Sequence, residues 1–254
     1  MALHQFFAEG PLPASVEGEF VVPLGAADMH HLRDVLRLDA GDEIIVAGGG
    51  RAVRVRLLTV EERAVGRVIG EIVRSPLPRL TLVQGLAKGE KMDGIVRQAT
   101  EVGVSRVVPF FAERSVVKLA GTKAESRVER WRRIAAEAAK QSQRVDVPRV
   151  TPLVRTEDLP RLLHGATLLV CWEDSAAAPG IGEALRIESP GPEAELAVVV
   201  GPEGGLSARE VALLEAAGGR TVSLGATVLR TETAGVVATA LAIYERGGLG
   251  ARNA

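Results

Sequence analysis

The chain has 254 residues, of which 46% are hydrophobic and 25% are charged, and its formal net charge is −1. This composition supports a folded core and excludes wholesale disorder, while the single cysteine, Cys171, excludes an internal disulfide framework and a cysteine-cluster metal site. No apolar run approaches the roughly 20 residues that span a bilayer, and the N-terminus lacks a signal-peptide pattern, so we expect a cytoplasmic protein without a membrane partner.

The first 75 residues predict a small β-rich domain with one helix. The helix is predicted at 28–38, where four apolar side chains share one face: Met29, Leu32, Val35 and Leu36. Strands are predicted at 43–47, 51–57 and 67–74. Short strands, glycine turns and a single helix favour a small barrel. The proline-containing segment 75–78 then predicts a domain boundary.

From residue 79 onward, predicted strands and helices alternate, which indicates an α/β domain with a mostly parallel sheet. The predicted strands are 80–86, 106–111, 167–172, 196–200 and 221–224. The predicted helices are 90–102, 125–144, 208–217 and 233–246. We therefore expect two domains, 1–75 and 76–254.

Charge is distributed unevenly along the chain. Residues 76–150 carry 15 basic and 8 acidic side chains, a net charge of +7, between flanking segments with net charges of −3 and −5. Four of these basic residues line up on one side of the predicted helix 125–144: Arg130, Arg133, Lys140 and Arg144. Such a segment is a possible binding surface for a polyanion. The alternative is an ordinary solvated helix face.

A glycine-rich turn, Gly201-Pro202-Glu203-Gly204-Gly205, follows a predicted buried strand. The helix after it begins with the capping-box pair Ser207 and Glu210. At the carboxyl end of a parallel strand, such a turn allows a ligand to approach the backbone and the free N–H groups of a helix. The turn has neither the lysine of a P-loop nor the glycine spacing of a dinucleotide site. A plain turn is the alternative interpretation.

A second segment with site character, 223–234, reads SLGATVLRTETA and leads into the last predicted helix. Arg230 and Glu232 stand just before Thr233, the predicted N-cap, where side chains can be held near a site. A purely structural Arg–Glu pair is the alternative interpretation.

Taken together and in order, these motifs resemble the RsmE family of 16S ribosomal RNA uridine N3-methyltransferases, within the SPOUT superfamily. The resemblance rests on GPEGG and LGxxVLRTETA, on the upstream GLAKGEKMD, ATEVGV and ERSVVK, on the RW…EAAKQSQR helix, and on HHLRDVLRLDAGD near the start. It implies a PUA-like, RNA-binding β-barrel followed by an α/β domain with a C-terminal trefoil knot. It also implies a homodimer that uses S-adenosylmethionine. Ala226 and Thr227 stand where the family has a proline and a basic residue.

The resemblance implies the following site residues. The cofactor would be held by Leu169, Val170, Cys171, Trp172, Val200, Gly201, Pro202, Glu203, Gly204, Gly205, Leu224, Gly225, Val228, Leu229 and Arg230. Arg230 would stabilise the negative charge on uracil, and Glu232 would orient Arg230 or accept the proton. The RNA of the small ribosomal subunit would be bound by Lys88, Lys91, Arg97, Arg114, Lys118, Arg133, Gln141 and Arg144.

Two other functional classes compete with this interpretation. A non-catalytic RNA-binding protein could keep the fold without turnover, although the intact GPEGG and LRTETA segments argue against it. A nucleotide-dependent oxidoreductase is disfavoured, because the dinucleotide fingerprint is missing.

Overall fold

The computed structural model describes residues 3–13, 18–116, 121–173 and 177–250. The chain divides into two compact units, Met1–Ser75 with Ala139–Val147, and Pro76–Ala138 with Pro148–Ala254. The structure thus groups 139–147 with the first unit, which corrects the expected assignment of all of 76–254 to one domain. The reason is local packing: the side-chain amide of Gln5 donates to the carbonyl of Arg144, and Val145 packs against apolar residues of the first sheet.

The first unit contains a five-stranded sheet. Its strands are β1 (His4–Phe7), β2 (Glu19–Val21), β3 (Glu43–Gly48), β4 (Arg51–Val60) and β5 (Ala64–Ile72). They are hydrogen-bonded in the order β1-β3-β4-β5-β2. The strand predicted at 51–57 is confirmed within β4, where valine and leucine side chains are buried and the intervening arginines are exposed. The short edge strands β1 and β2 were not predicted.

The helix predicted at 28–38 is shorter and irregular. It consists of α1 (Ala26–His30) followed by one π-helical turn, His31–Val35. Met29 and Leu32 are buried as expected, but Val35 is 57% exposed. The prediction for Val35 was wrong because a π-helical turn does not keep the 3.6-residue period on which it rested.

The second unit contains a seven-stranded, all-parallel sheet, which confirms the predicted α/β class. Its strands are β6 (Leu80–Gly85), β7 (Arg106–Phe111), β8 (Arg149–Val150), β9 (Val154–Arg155), β10 (Thr167–Cys171), β11 (Leu196–Val200) and β12 (Arg220–Val222). The order is β12-β10-β11-β6-β7-β8, with β9 paired to β7. The fully buried strands β6 and β11 are continuously apolar or nearly so, as expected where both faces of a sheet are covered.

The helices associated with this sheet are α2 (Lys91–Val102), α3 (Thr122–Gln141), α4 (Leu159–Leu162), α5 (Ile181–Glu188), α6 (Ala208–Ala216) and α7 (Thr231–Glu245). Three predicted helix boundaries were wrong by two residues or more. Helix α3 begins at Thr122 instead of residue 125 and ends at Gln141, so Arg144 lies beyond it. Helix α7 begins at Thr231 with Arg230 as its N-cap, two residues before the expected start at Thr233. In the described part of the chain, every helix is too short or too polar to cross a bilayer.

The sheet order brings the two glycine-containing segments to one edge. The 201–205 turn follows β11, and the 223–230 segment follows β12. Strand β10 pairs with both of these strands in parallel. The carboxyl end of β10 therefore lies between the two segments, which is where open α/β sheets bind ligands.

Candidate functional site

A cavity of about 710 Å³ opens at this edge of the sheet. Of the residues that the structure describes, twenty line it: Lys91, Cys171, Trp172, Glu173, Val200, Gly201, Pro202, Glu203, Gly205, Val222, Ser223, Leu224, Gly225, Ala226, Thr227, Val228, Leu229, Arg230, Thr231 and Ala234. Its volume is in the usual range for small-molecule sites. The two segments singled out in the sequence thus face a common space.

The glycine-rich turn depends on close backbone contacts. A Cβ at Gly85, the last residue of β6, would lie 2.5 Å from the backbone nitrogen of Pro202. A Cβ at Gly201 would lie 2.8 Å from the carbonyl carbon of Gly205, which itself has a φ of +67°. Glycine is therefore needed at 85 and 201 for space and at 205 for backbone conformation.

The second segment forms a loosely packed wall of the cavity. The hydroxyl of Ser223 accepts a hydrogen bond from the amide of Gly225 at 3.2 Å, and Gly225 has a φ of +118°. Leu224 and Leu229 pack partly against the core, whereas Val228 is 85% exposed. The segment therefore offers apolar side chains to a ligand.

A buried polar side chain joins the sheet to both segments. The amide of Gln84 donates to the hydroxyl of Thr231 at 3.0 Å and lies within 3.4 Å of the carbonyl of Gly201. Thr231 donates in turn to the same carbonyl at 2.6 Å. These bonds fix the start of α7 against the glycine-rich turn.

Lys91 connects three elements at the cavity. Its Nζ lies 3.0 Å from Oε1 of Glu203 in the glycine-rich turn and 3.1 Å from Oε2 of Glu232 in the first turn of α7. The contact between Lys91 and Glu232 is an ion pair, and Oε2 of Glu232 has no hydrogen-bond partner among the described residues. Oε1 of Glu203 also accepts the backbone N–H of Lys88 at 3.0 Å.

All three groups of this cluster are stabilised in their charged forms. The paired carboxylates of Glu203 and then Glu232 raise the pKa of Lys91. Burial opposes ionisation of Glu203, but the Lys88 amide and Lys91 together hold its pKa below the usual value. The pKa of Glu232 is lowered by its own backbone amide and then by Lys91.

Glu232 does not make the expected pair with Arg230. Its nearest cationic partner is Lys91, and Arg230 acts on it only as a more distant positive charge. Arg230 lines the cavity and is exposed there. The arginine therefore faces the cavity directly, whereas the carboxylate lies beside the cavity at Lys91.

Twelve of the fifteen residues expected to hold a cofactor line the cavity; Leu169, Val170 and Gly204 do not. Leu169 and Val170 are fully buried in β10 and point into the cores on opposite faces of the sheet. Gly204 faces away, since a Cβ there would lie 3.0 Å from the Cβ of Arg114. Burial raises the pKa of Cys171 to about 12, so its thiol stays neutral.

Sequence reasoning did not place several lining residues at this site. Lys91 was assigned to RNA, Thr231 was part of the 223–234 segment without a role of its own, and Glu173 was not singled out. The repeated charges of KGEKMD were a signal for Lys91, but its partners lie more than 100 residues away in the sequence.

The residues expected to bind RNA fall into distinct groups. Lys88, Arg97, Arg114, Arg133 and Gln141 are exposed, while Lys118 lies outside the described residues. Arg144 is only 6% exposed and pairs with Asp146 at 2.9 Å. The expectation of a phosphate contact at Arg144 is therefore corrected, because its side chain is buried in the first unit.

A buried carboxylate network holds Arg114 near the glycine-rich turn. Glu210 accepts hydrogen bonds from the hydroxyl of Thr156 at 2.7 Å and from the amide of Glu113 at 2.8 Å. Ser207 donates to the carboxylate of Glu113 at 2.7 Å. Arg114, next in the chain, donates from Nη1 to the carbonyl of Gly204 at 3.2 Å.

Comparisons with known proteins give consistent results. The RNA methyltransferase domain family matches residues 73–243. The chain is 37% identical over 224 residues to ribosomal RNA small subunit methyltransferase E of Bacillus subtilis, covering 86% of this chain and 88% of that protein. It is 33% identical to the protein of the same name from Aquifex aeolicus, over 91% and 95% of the two chains.

A solved structure shows the same similarity. The structure of ribosomal RNA small subunit methyltransferase E from Neisseria gonorrhoeae, bound to S-adenosyl methionine, superposes with a TM-score of 0.78 at 30% identity. The match covers 94% of this chain and 96% of that one.

Proposed function

Because the chain belongs to the RNA methyltransferase family, within its ribosomal RNA small subunit methyltransferase E group, we propose that it methylates N3 of a uridine in 16S ribosomal RNA with S-adenosylmethionine. The substrate in this proposal is the assembled small subunit, and the enzyme works in the cytoplasm. One observation carries the proposal: two glycine-containing segments, 201–205 and 223–230, face one cavity of about 710 Å³.

The residues of the cavity fit S-adenosylmethionine. Leu224, Val228 and Leu229 offer apolar surface for an adenine ring, and the turn 201–205 offers backbone polar groups. The indole N–H of Trp172 is buried without a hydrogen-bond partner among the described residues, so it is an available donor. When bound, the cofactor supplies a methyl group already activated on a sulfonium, so that positioning can contribute much of the rate.

Arg230 has the position and charge to act on the acceptor base. Loss of the N3 proton from uracil leaves negative charge on O2 and O4, and a guanidinium stabilises such charge. Arg230 is exposed at the cavity, so we assign it this role. Glu232 is the weaker candidate for a general base because its lowered pKa makes the carboxylate a poor proton acceptor. We assign Glu232 a positioning role.

In this proposal the RNA is bound by exposed residues, of which Lys88, Arg97, Arg114 and Arg133 belong to the second unit. Gln141, in the first unit, and Lys118 complete the proposed set. Arg114 connects this surface to the cavity through its hydrogen bond to Gly204.

We also infer a PUA-like barrel in the first unit, a trefoil knot in the second and a homodimer. The five-stranded sheet of the first unit and the non-sequential strand order of the second support the two fold assignments. An apolar strip on α7 supports the dimer: Leu241 is 39% exposed and Tyr244 is 59% exposed.

The competing function is that of an RNA-binding protein with the same fold and no turnover. It is less well supported, because the cavity retains Arg230 and the backbone turns that a cofactor requires.

Mass spectrometry of small-subunit RNA tests the proposal. A strain that lacks the gene is expected to lose one 3-methyluridine, which the wild-type gene and a Lys123→Met control restore. Lys123 is exposed on α3, away from the cavity. Arg230→Ala is expected not to restore the modification. An unchanged 3-methyluridine content in the deletion strain would contradict the proposed function.

A further inference from the structure

The charged side chains that line the cavity balance one another, and a further carboxylate lies beside them. Among the described residues that line it, the charged side chains are Lys91, Glu173, Glu203 and Arg230. Glu232 adjoins them through its ion pair with Lys91. The lining alone is neutral, and the neighbouring Glu232 brings the sum to −1. Apolar contacts to adenosine do not require this additional carboxylate.

Three of these residues form a fixed cluster, which we call the clasp: Lys91, Glu203 and Glu232. The three side chains are about one-third exposed or less, and each comes from a different element: the start of α2, the glycine-rich turn and the first turn of α7. The amide of Lys88 gives Glu203 a second anchor. The clasp therefore holds two carboxylates beside the cavity and neutralises only one of them.

We propose that the clasp makes the cavity discriminate ligands by the charge on their sulfur, favouring the sulfonium of S-adenosylmethionine over the neutral thioether of S-adenosylhomocysteine. This inference rests on the proposed function. Lys91 has a positioning role in this proposal, because its ammonium offsets part of the negative charge of the two carboxylates that acts on the ligand. In this proposal Lys91 does not contact RNA phosphate.

The partly neutralised carboxylates attract a positively charged sulfur and do not attract a neutral one. Methyl transfer removes the positive charge from sulfur, so the attraction to the clasp is present for the donor and absent for the product. The product is then held less tightly than the donor. One unit charge in such a partly solvated site changes the relative affinity by about threefold, given Coulomb attraction over several ångströms.

Calorimetric titration with each ligand tests this proposal through the ratio of the two dissociation constants, product over donor. Relative to wild type, Glu203→Gln and Glu232→Gln are each expected to lower the ratio about threefold, because each removes one negative charge. Lys91→Met is expected to raise it about threefold, because it removes the neutralising charge. Lys91→Arg is expected to keep the wild-type ratio, as is the matched control Lys123→Met.

The ratio separates charge recognition from structural damage, since a distorted cavity weakens both ligands together. Variants that change both affinities equally, or that shift the ratio in the opposite order, overturn the inference while leaving the proposed function intact. A wild-type protein that binds neither ligand refutes the proposed function itself. A salt titration of RNA binding adds a second readout: a slope lowered by about 1 in Lys91→Met would identify a phosphate contact and also overturn the inference.

Discussion

Gly85 shows how a single missing side chain shapes the cavity. It ends β6, and its Cα lies so near the turn after β11 that a Cβ would meet the nitrogen and ring of Pro202. The sequence indicated that GPEGG was special because of its glycines. Gly85 opens the GLAKGEKMD motif, but nothing in that motif indicated a contact with Pro202. Glycine is required at position 85 because the folded sheet brings it against Pro202, which lies more than 100 positions away in the sequence.

We expect Gly85→Ala to lower the stability of the second unit by about 1–3 kcal/mol, as overpacking does, and to weaken binding of S-adenosylmethionine. The matched control is Gly94→Ala in α2, where a Cβ meets nothing within 4 Å and should stabilise the helix by about 0.5–1 kcal/mol. Denaturant unfolding followed by tryptophan fluorescence measures both, since Trp131 and Trp172 belong to the second unit. Equal stability of the two variants would contradict this account.

At the scale of elements, the start of α6 was predictable and the start of α7 was not. Ser207 and Glu210 have capping-box spacing in the sequence, and the structure confirms both hydrogen bonds. For α7, Thr233 was chosen by residue type, yet the helix begins two residues earlier, with no side-chain cap from Arg230. The hydroxyl of Thr231 instead bonds to Gly201, a tertiary contact that local propensity cannot reveal.

Ser207→Ala is expected to destabilise the second unit by about 2 kcal/mol, because it removes the N-cap of α6 and the partner of the Glu113 carboxylate. Ser126→Ala, at an exposed position of α3, serves as the control and should change stability by less than about 0.5 kcal/mol. Denaturant unfolding gives both values. If the two substitutions lower the free energy of unfolding by the same amount, the hydrogen bonds of Ser207 do not stabilise the second unit and this account is contradicted.

For the whole molecule, strand–helix alternation was enough to predict the parallel sheet, but local net charge overstated the basic surface. Part of the +7 of residues 76–150 is neutralised by acidic side chains outside the segment. Arg106 pairs with Glu195. Lys91 pairs with Glu203 and Glu232. These acidic partners come from distant segments or from the interior, so counting charges along the chain could not identify the cations that stay exposed.

Arg133 is an exposed cation on α3 with no ion pair among the described residues. We expect Arg133→Ala to reduce the slope of log affinity for RNA against log salt by about 1, the loss of one phosphate contact. Lys123→Ala, on the same helix but outside the candidate RNA surface, should leave the slope unchanged. Binding titrations across a salt series measure this; equal slopes for wild type and Arg133→Ala would remove Arg133 from the RNA surface.

The central claim is that the two glycine-containing segments together hold one methyl donor, and a crystal structure determined with S-adenosylmethionine tests it most directly. The account predicts cofactor density between residues 201–205 and 223–230, at the carboxyl end of β10, with contacts to both segments. Density at any other place on the protein, or in contact with only one segment, would contradict it.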